Sequence, residues 1–117
     1  MRQVSIVNKS KATVVGSQIS VADSFTTRLI GLMGRRSLET GQGMLITQSS
    51  GVHTCWMRMS IDVVALDKRN RVIKVGHAVK PWRLSGLTLK TTQVLELAPG
   101  QIKAAGIEVG DQLELQS

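Results

Sequence analysis

Cysteine is nearly absent from this chain: Cys55 is the only one in 117 residues. No internal disulfide can form, so the fold must rest on packing and hydrogen bonds, and a reducing compartment suits it. Aromatic residues are almost as scarce, with Phe25, Trp56 and Trp82 and no tyrosine. Proteins that hold unpaired bases stack them on exposed aromatics, so the sequence argues against that role and leaves only a weak, salt-sensitive contact with phosphates. No run of 18 apolar residues occurs, which excludes a membrane-spanning helix. The segment Met1 to Lys11 is basic but lacks the apolar stretch of a signal peptide. These absences together point to a cytoplasmic protein. Also missing are a glycine-rich phosphate loop, a serine-centred nucleophile elbow and zinc-type ligand spacing, so neither a cofactor nor a metal is expected.

Acidic residues are missing from one long stretch. Between Lys68 and Lys90 stand seven cations, Lys68, Arg69, Arg71, Lys74, Lys80, Arg83 and Lys90, and no Asp or Glu. From Glu96 to the end, four acidic residues face one lysine. In a chain of net charge +7, such a block suits an anionic partner: nucleic acid, an acidic protein or a lipid headgroup surface. It serves equally as a solvated face that keeps a small domain dispersed.

What is present reads as one mainly β domain spanning 1–117. A chain of this length buries roughly 65% of its unfolded surface and needs no staple. Val4 and Ile6 alternate with polar residues as a first strand. Ala12 and Val14 are out of phase with Ile19 and Val21, which places a bulge or tight turn near Gly16. Asp23 or Ser24 can cap a helix whose Phe25, Leu29 and Leu32 form a buried stripe and which Gly34 ends. Met44-Leu45-Ile46 follows as a short apolar run. Ile61–Leu66, the turn Asp67-Lys68-Arg69-Asn70 and Arg71–Val75 make the best hairpin signal. Gln93–Leu97 is a further strand, Pro99 opens a short helix through Ala105, and Gly106 closes it. Gly110-Asp111 then turns into a last strand with Leu113 and Leu115 facing in. The expectation is six or seven strands, a helix near 24–33 and a short helix near 99–105, closed as a small β-barrel or packed sheet.

The densest chemistry lies in His53-Thr54-Cys55-Trp56-Met57-Arg58-Met59. If extended, it points His53, Cys55, Met57 and Met59 to one side, donors that a soft ion such as Cu(I) prefers. Alternate side chains on a strand sit about 6.5–7 Å apart, however, so the four cannot converge on one ion. The same spacing keeps His53 from acting as base to a Cys55 thiolate, and His77 is the other imidazole. Cys55 is therefore expected to be an unreactive thiol among apolar neighbours. Asp62 is the one charge within the most apolar run and must find donors, with Arg28, His53 and Arg58 the candidates. Lys80-Pro81-Trp82-Arg83 reads as a loop, since Pro81 cannot serve a central strand, and Trp82 is expected half-buried.

A series of short motifs then adds up. Arg28-Leu29-Ile30-Gly31-Leu32-Met33, Gly43-Met44-Leu45, His53-Thr54 and Met57-Arg58 come first. Ile61-Asp62-Val63-Val64, Leu66-Asp67 and Lys80-Pro81-Trp82-Arg83 follow, then Val94-Leu95-Glu96-Leu97 through Gly100, and Gly110-Asp111. In this order, over nearly the whole chain, they resemble the bacterial and archaeal family called domain of unknown function 192. The resemblance implies a compact β-barrel-like domain with short helices and implies no activity. Members of that family often carry an export signal or lipid anchor, and this chain shows neither. It departs from the family's usual letters at Cys55-Trp56, Met59-Ser60 and Ala65. The polar letters that match are Arg28, His53, Thr54, Arg58, Asp62, Trp82, Arg83 and Glu96, and a family-wide site would be drawn from them.

Two functional readings follow. The first is a non-catalytic binding or accessory domain that recognises a protein or an anionic ligand. The second is an enzyme of unknown reaction using His53 with Asp62. An enzyme requires a cleft of roughly 300 Å³ or more with convergent polar groups, whereas a binding module requires an exposed patch.

Overall fold

A computed structural model of the chain describes residues 2–116, and for Phe25, Leu29 and Ile30 the backbone only. The expected burial of Phe25 and Leu29 lies outside the described residues. The strands are β1 (Gln3–Asn8), β2 (Thr13–Ala22), β3 (Gln42–Ile46), β4 (Val52–His53), β5 (Ile61–Leu66), β6 (Val72–Val79), β7 (Leu84–Ser85), β8 (Gln93–Leu97) and β9 (Leu113–Gln116). Two short helices, α1 (Phe25–Ile30) and α2 (Gln101–Ala104), complete the described elements. Seven strands form one sheet in the order β6-β5-β8-β3-β2-β1-β9, and β4 pairs with β7 in a separate ribbon. Only β2 and β3 run parallel within the sheet, and α1 lies in their crossover. The expected count of six or seven strands thus describes the main sheet, to which the two-residue strands β4 and β7 add a ribbon.

The sheet curls into a half-barrel and its two edges meet at one end. Arg71 bridges to Gln112, the Val72 amide donates to the Asp111 carbonyl at 2.9 Å, and the Leu113 amide donates to the Asn70 carbonyl at 3.0 Å. Asp111 locks this end by accepting from Asn8 Nδ2 at 2.9 Å and from Lys11 Nζ at 2.8 Å. The expected phase change near Gly16 is a register shift: Val4 pairs with Ile19 and Ile6 with Gly16, so β2 carries an extra residue there.

The central strands β5, β8 and β3 are buried on both faces, which is why they read as near-continuous apolar runs. One face feeds the barrel interior with Leu45, Val64, Leu66, Leu95 and Leu97, against which Ile102 of α2 packs. The other carries Met44, Ile46, Ile61, Val63 and Val94, covered by Leu32 and Met57.

Both helices are shorter than expected. Ser24 caps α1 through a capping box with Thr27, but the chain leaves the helix at Gly31, whose φ is 52°, rather than at Gly34. At the other end of the chain, α2 does not open at Pro99 but starts at Gln101, with Gly100 as its N-cap. Gly106, in the left-handed region, then ends it, with the Ile107 amide on the Ile102 carbonyl and the Gly106 amide on the Lys103 carbonyl.

Asp62 is fully buried, and its donors are not those expected. Neither Arg28, His53 nor Arg58 reaches it. The Ala78 amide donates to Oδ1 at 2.8 Å and the Ile102 amide to Oδ2 at 2.9 Å. Asp62 faces the barrel interior with Val64 and Leu66, which puts it beside the start of α2, a helix whose own N-cap offers no side chain. Its other oxygen holds a bulge in β6, where the register steps from Val79 to Gly76 against Ile61 to Val63, and where Ala78 adopts a φ of 46°. Replacing Asp62 by Ala leaves the buried Ile102 amide unpaired and frees the Ala78 amide at the exposed bulge, and urea denaturation should show a loss of about 3 kcal/mol. Asp62→Asn keeps one acceptor and should lose about half as much. A variant as stable as the parent would show that water or a shifted backbone satisfies both amides.

Candidate functional site

The parallel crossover brings α1 over the outer face of the sheet, and the sheet places Glu96 beneath it. Glu96 stands between Met44 of β3 and Val63 of β5 in the register of β8. Its neighbours Leu95 and Leu97 point into the barrel, so Glu96 points the other way, with Val94. Above it the chain turns at Gly31. A Cβ at that position would lie 3.3 Å from Glu96 Oε1 and 3.5 Å from Ile46 Cδ1, so glycine serves both the left-handed turn and the close approach.

Between these elements lies a cavity of about 350 Å³. Leu32, Met33, Ile46, Val52 and Met57 form its apolar walls, Glu96 contributes the buried acid, and Arg28, Gln48 and His53 add polar groups. Arg28 is positioned by the α1 backbone and held by two bonds at 3.1 Å, from Nη1 to the Asp23 carbonyl and to Gln48 Oε1. His53 is exposed. Glu96 is only 3% exposed, and no hydrogen bond to its carboxyl is made among the described residues. Burial disfavours its charged form and pushes its pKa from an ordinary 4.5 up to about 7.

The eight residues singled out in the sequence therefore divide. Arg28, His53 and Glu96 meet at the cavity. Asp62 lies on the opposite face of the sheet, so the His53–Asp62 pair of the enzyme reading is not assembled. Thr54 is a buried stitch: its hydroxyl donates to the Lys80 carbonyl at 2.7 Å and accepts from the Arg83 amide at 2.7 Å. Its backbone binds the Arg83 carbonyl and the Trp82 amide. Arg58, Trp82 and Arg83 are exposed.

The segment from His53 to Met59 is not extended. β4 ends at His53, and Trp56 has a φ of 66°, so the alternation that would align His53, Cys55, Met57 and Met59 is broken. Met57 is buried against the cavity while Cys55 is half-buried in the turn. Trp82 also has a positive φ, 65°, and is 55% exposed. It stacks edge-to-face on Trp56, with ring centroids 4.9 Å apart. Two bulky residues held in the left-handed region mark local strain.

The seven cations are all exposed. Lys68, Arg69, Arg71 and Lys90 surround one concavity with Leu89 and Asp67, Lys74 lies on edge strand β6, and Lys80 and Arg83 follow its far end. They form a rim along β6 and the segment after it, not one cluster.

Sequence reasoning missed the cavity itself. The signal was available: Glu96 is an acid inside an apolar strand, just as Asp62 is, but with no cation near it in sequence. Its raised pKa has a consequence for stability. The folded state favours the protonated acid, so this contribution is fully present below pH 4.5 and lost as pH rises through about 7. Glu96→Gln should therefore match the parent near pH 4.5 and exceed it by on the order of 3 kcal/mol at pH 8. Denaturant melts across this range would show the gap opening; a constant gap would mean that the carboxyl titrates normally.

The chain matches the family described as DUF192, uncharacterized ACR, over residues 6–115. A UPF0127 protein of Pyrococcus furiosus is 30% identical over 112 residues, covering 93% of this chain and 96% of that protein. A UPF0127 protein of Pyrococcus abyssi is 30% identical over 115 residues, covering 93% and 95%. Two crystal structures share the fold. A protein of unknown function from Novosphingobium aromaticivorans has a TM-score of 0.81 at 21% identity, with 96% of this chain and 83% of that chain covered. A protein from Sinorhizobium meliloti, described as a candidate transcription regulator, has a TM-score of 0.79 at 21% identity, with 97% and 92% covered. Archaeal relatives thus stand beside bacterial structures, and among the described residues no helix is long and apolar enough to cross a membrane. This chain belongs to the DUF192 family.

Proposed function

We propose that the domain is a non-catalytic binding module whose cavity receives a small ligand, or a side chain protruding from a partner protein. The observation that carries this reading is Glu96, a buried carboxyl in an apolar-walled cavity with no donor of its own among the described residues. The Glu96 carboxyl is not sealed away but opens on the cavity, where a ligand that brings an N–H or ammonium group would meet it. The apolar walls then hold the ligand's body. Arg28 and His53, the other charged or titratable groups lining the cavity, are suited to meet an anionic end. The ligand class is thus an apolar body with a donor at one end and, where it has an anionic group, that group at the other.

A second reading has one observation in its favour. A carboxyl titrating near 7 suits a general acid or base, and the cavity exceeds the roughly 300 Å³ that such a site requires. Burial alone accounts for the same pKa, and the exposed Trp56–Trp82 pair supplies the kind of patch expected of a binding module. A nucleic-acid role, which the description of the Sinorhizobium meliloti protein invites, would use the basic rim and not the cavity.

The test is methyl NMR of the protein titrated with small amines, amides and carboxylates. The expected result is that apolar amines and zwitterions shift the methyl signals of Leu32, Ile46, Val52 and Met57, and that Glu96→Gln removes the response to amines. Unmoved methyls across the series would overturn the reading. Chemical turnover of a ligand that stops with Glu96→Gln would favour the enzyme instead.

A further inference from the structure

The segment that follows β6 crosses the outer face of the sheet as a strap. Gly86 is buried beneath it: a Cβ there would lie 3.4 Å from Val63 and 3.6 Å from Ala65. The outward side is unusually apolar. Trp82, Leu84, Leu87 and Leu89 are all exposed, with Leu84 at 75% and Leu89 fully open to solvent. Trp56 joins them by stacking on Trp82. Exposing one such side chain is ordinary, but five along one strap and its stacked neighbour form a ridge.

Cations flank that ridge at both ends. Lys80 and Arg83 stand beside Trp82, while Lys68, Arg69, Arg71 and Lys90 surround Leu89. One carboxylate, Asp67, lies among the second group, and it is occupied by the Arg69 and Arg71 amides at 2.8 and 2.9 Å. No other acidic residue occurs in the sequence between Asp67 and Glu96, and Glu96 is buried. None of these cations forms an ion pair among the described residues.

We infer that the strap is a docking surface for an anionic lipid headgroup layer, with the Trp56–Trp82 pair and the exposed leucines entering the interface and the cations meeting phosphates. Tryptophan prefers the boundary between headgroups and hydrocarbon, and cations beside an anionic leaflet add to the apolar term. The exposed leucines favour lipid over nucleic acid, because aliphatic side chains offer unpaired bases no stacking partner. The inference does not depend on the cavity: none of the strap residues lines it.

Both tryptophans of the chain belong to the ridge and there is no tyrosine, so intrinsic fluorescence reports on this surface alone. The protein is titrated at low salt with vesicles of equal parts phosphatidylglycerol and phosphatidylcholine, and with phosphatidylcholine alone. The expected result is a blue shift and sedimentation with the anionic vesicles only. Each neutralised cation should lower partitioning about five-fold, so Lys80→Gln with Arg83→Gln should lower it about 25-fold. Leu87→Ser with Leu89→Ser should also weaken it. All four positions are exposed, and circular dichroism melts verify that the variants fold. No partitioning into anionic vesicles would overturn the inference. So would partitioning that the leucine variant leaves unchanged, since charge alone would then suffice. Saturable binding of an oligothymidylate without vesicle binding would assign the surface to nucleic acid.

Discussion

A sheet covered on both faces imposes one rule on its central strands: a polar side chain there must find partners inside the protein or reach a cavity. β5 and β8 each carry one acid, and they meet the rule in opposite ways. Asp62 points into the barrel and is met by two backbone amides, one from α2 and one from the β6 bulge. Glu96 points outward, where α1 turns away at Gly31, and no described donor reaches it. The same low-polarity surroundings thus turn one carboxylate into a structural fastener and the other into an acid that holds its proton up to about pH 7.

The fastener fixes geometry well beyond its own strand. Asp62 anchors the first turn of a four-residue helix, which could not form alone. That helix brings Ile102 into the barrel interior. By holding Ala78 in a left-handed conformation, Asp62 also sets the bulge after which β6 leads to Lys80 and the strap. Thr54 performs the corresponding service on the outer face. Its hydroxyl and backbone bind the Lys80–Arg83 segment, so the ribbon of β4 and β7 and the two tryptophans share one anchorage.

Much of the fold was legible because local signals and burial agree. The hairpin Ile61–Leu66, Asp67–Asn70 and the strand after it, the bulge near Gly16 and the glycine that ends α2 all appear as read. The failures have a common cause. The helix near 24–33 stops early because Gly31 must pass within reach of Glu96 and Ile46, a contact made across the sheet and invisible in local periodicity. The alternating sulfur and imidazole side chains from His53 to Met59 would share one face only if that stretch were extended. Its true conformation is set by Thr54 bonding to residues 26 and 29 positions further on. For the same reason the family letters could be gathered from sequence but not sorted: Asp62 and His53 look like partners in the chain and lie on opposite sides of the sheet.

The cavity and the strap are neighbours through that stitch. Val52 and His53 line the cavity, and they pair directly with Ser85 and Leu84 of the strap. On the other side, the Gly34 amide binds the Trp56 carbonyl at 3.2 Å, joining the end of the α1 segment to the aromatic pair. Both borders of the cavity are therefore fastened to the exposed ridge by backbone hydrogen bonds, while its floor, Glu96, is fixed in the rigid sheet. Ridge and cavity borders thus form one hydrogen-bonded layer lying on a floor that belongs to the sheet. Two tryptophans held at positive φ are a costly way to build a loop that only covers a sheet, and their strain is borne by the hydrogen bonds that also shape the cavity.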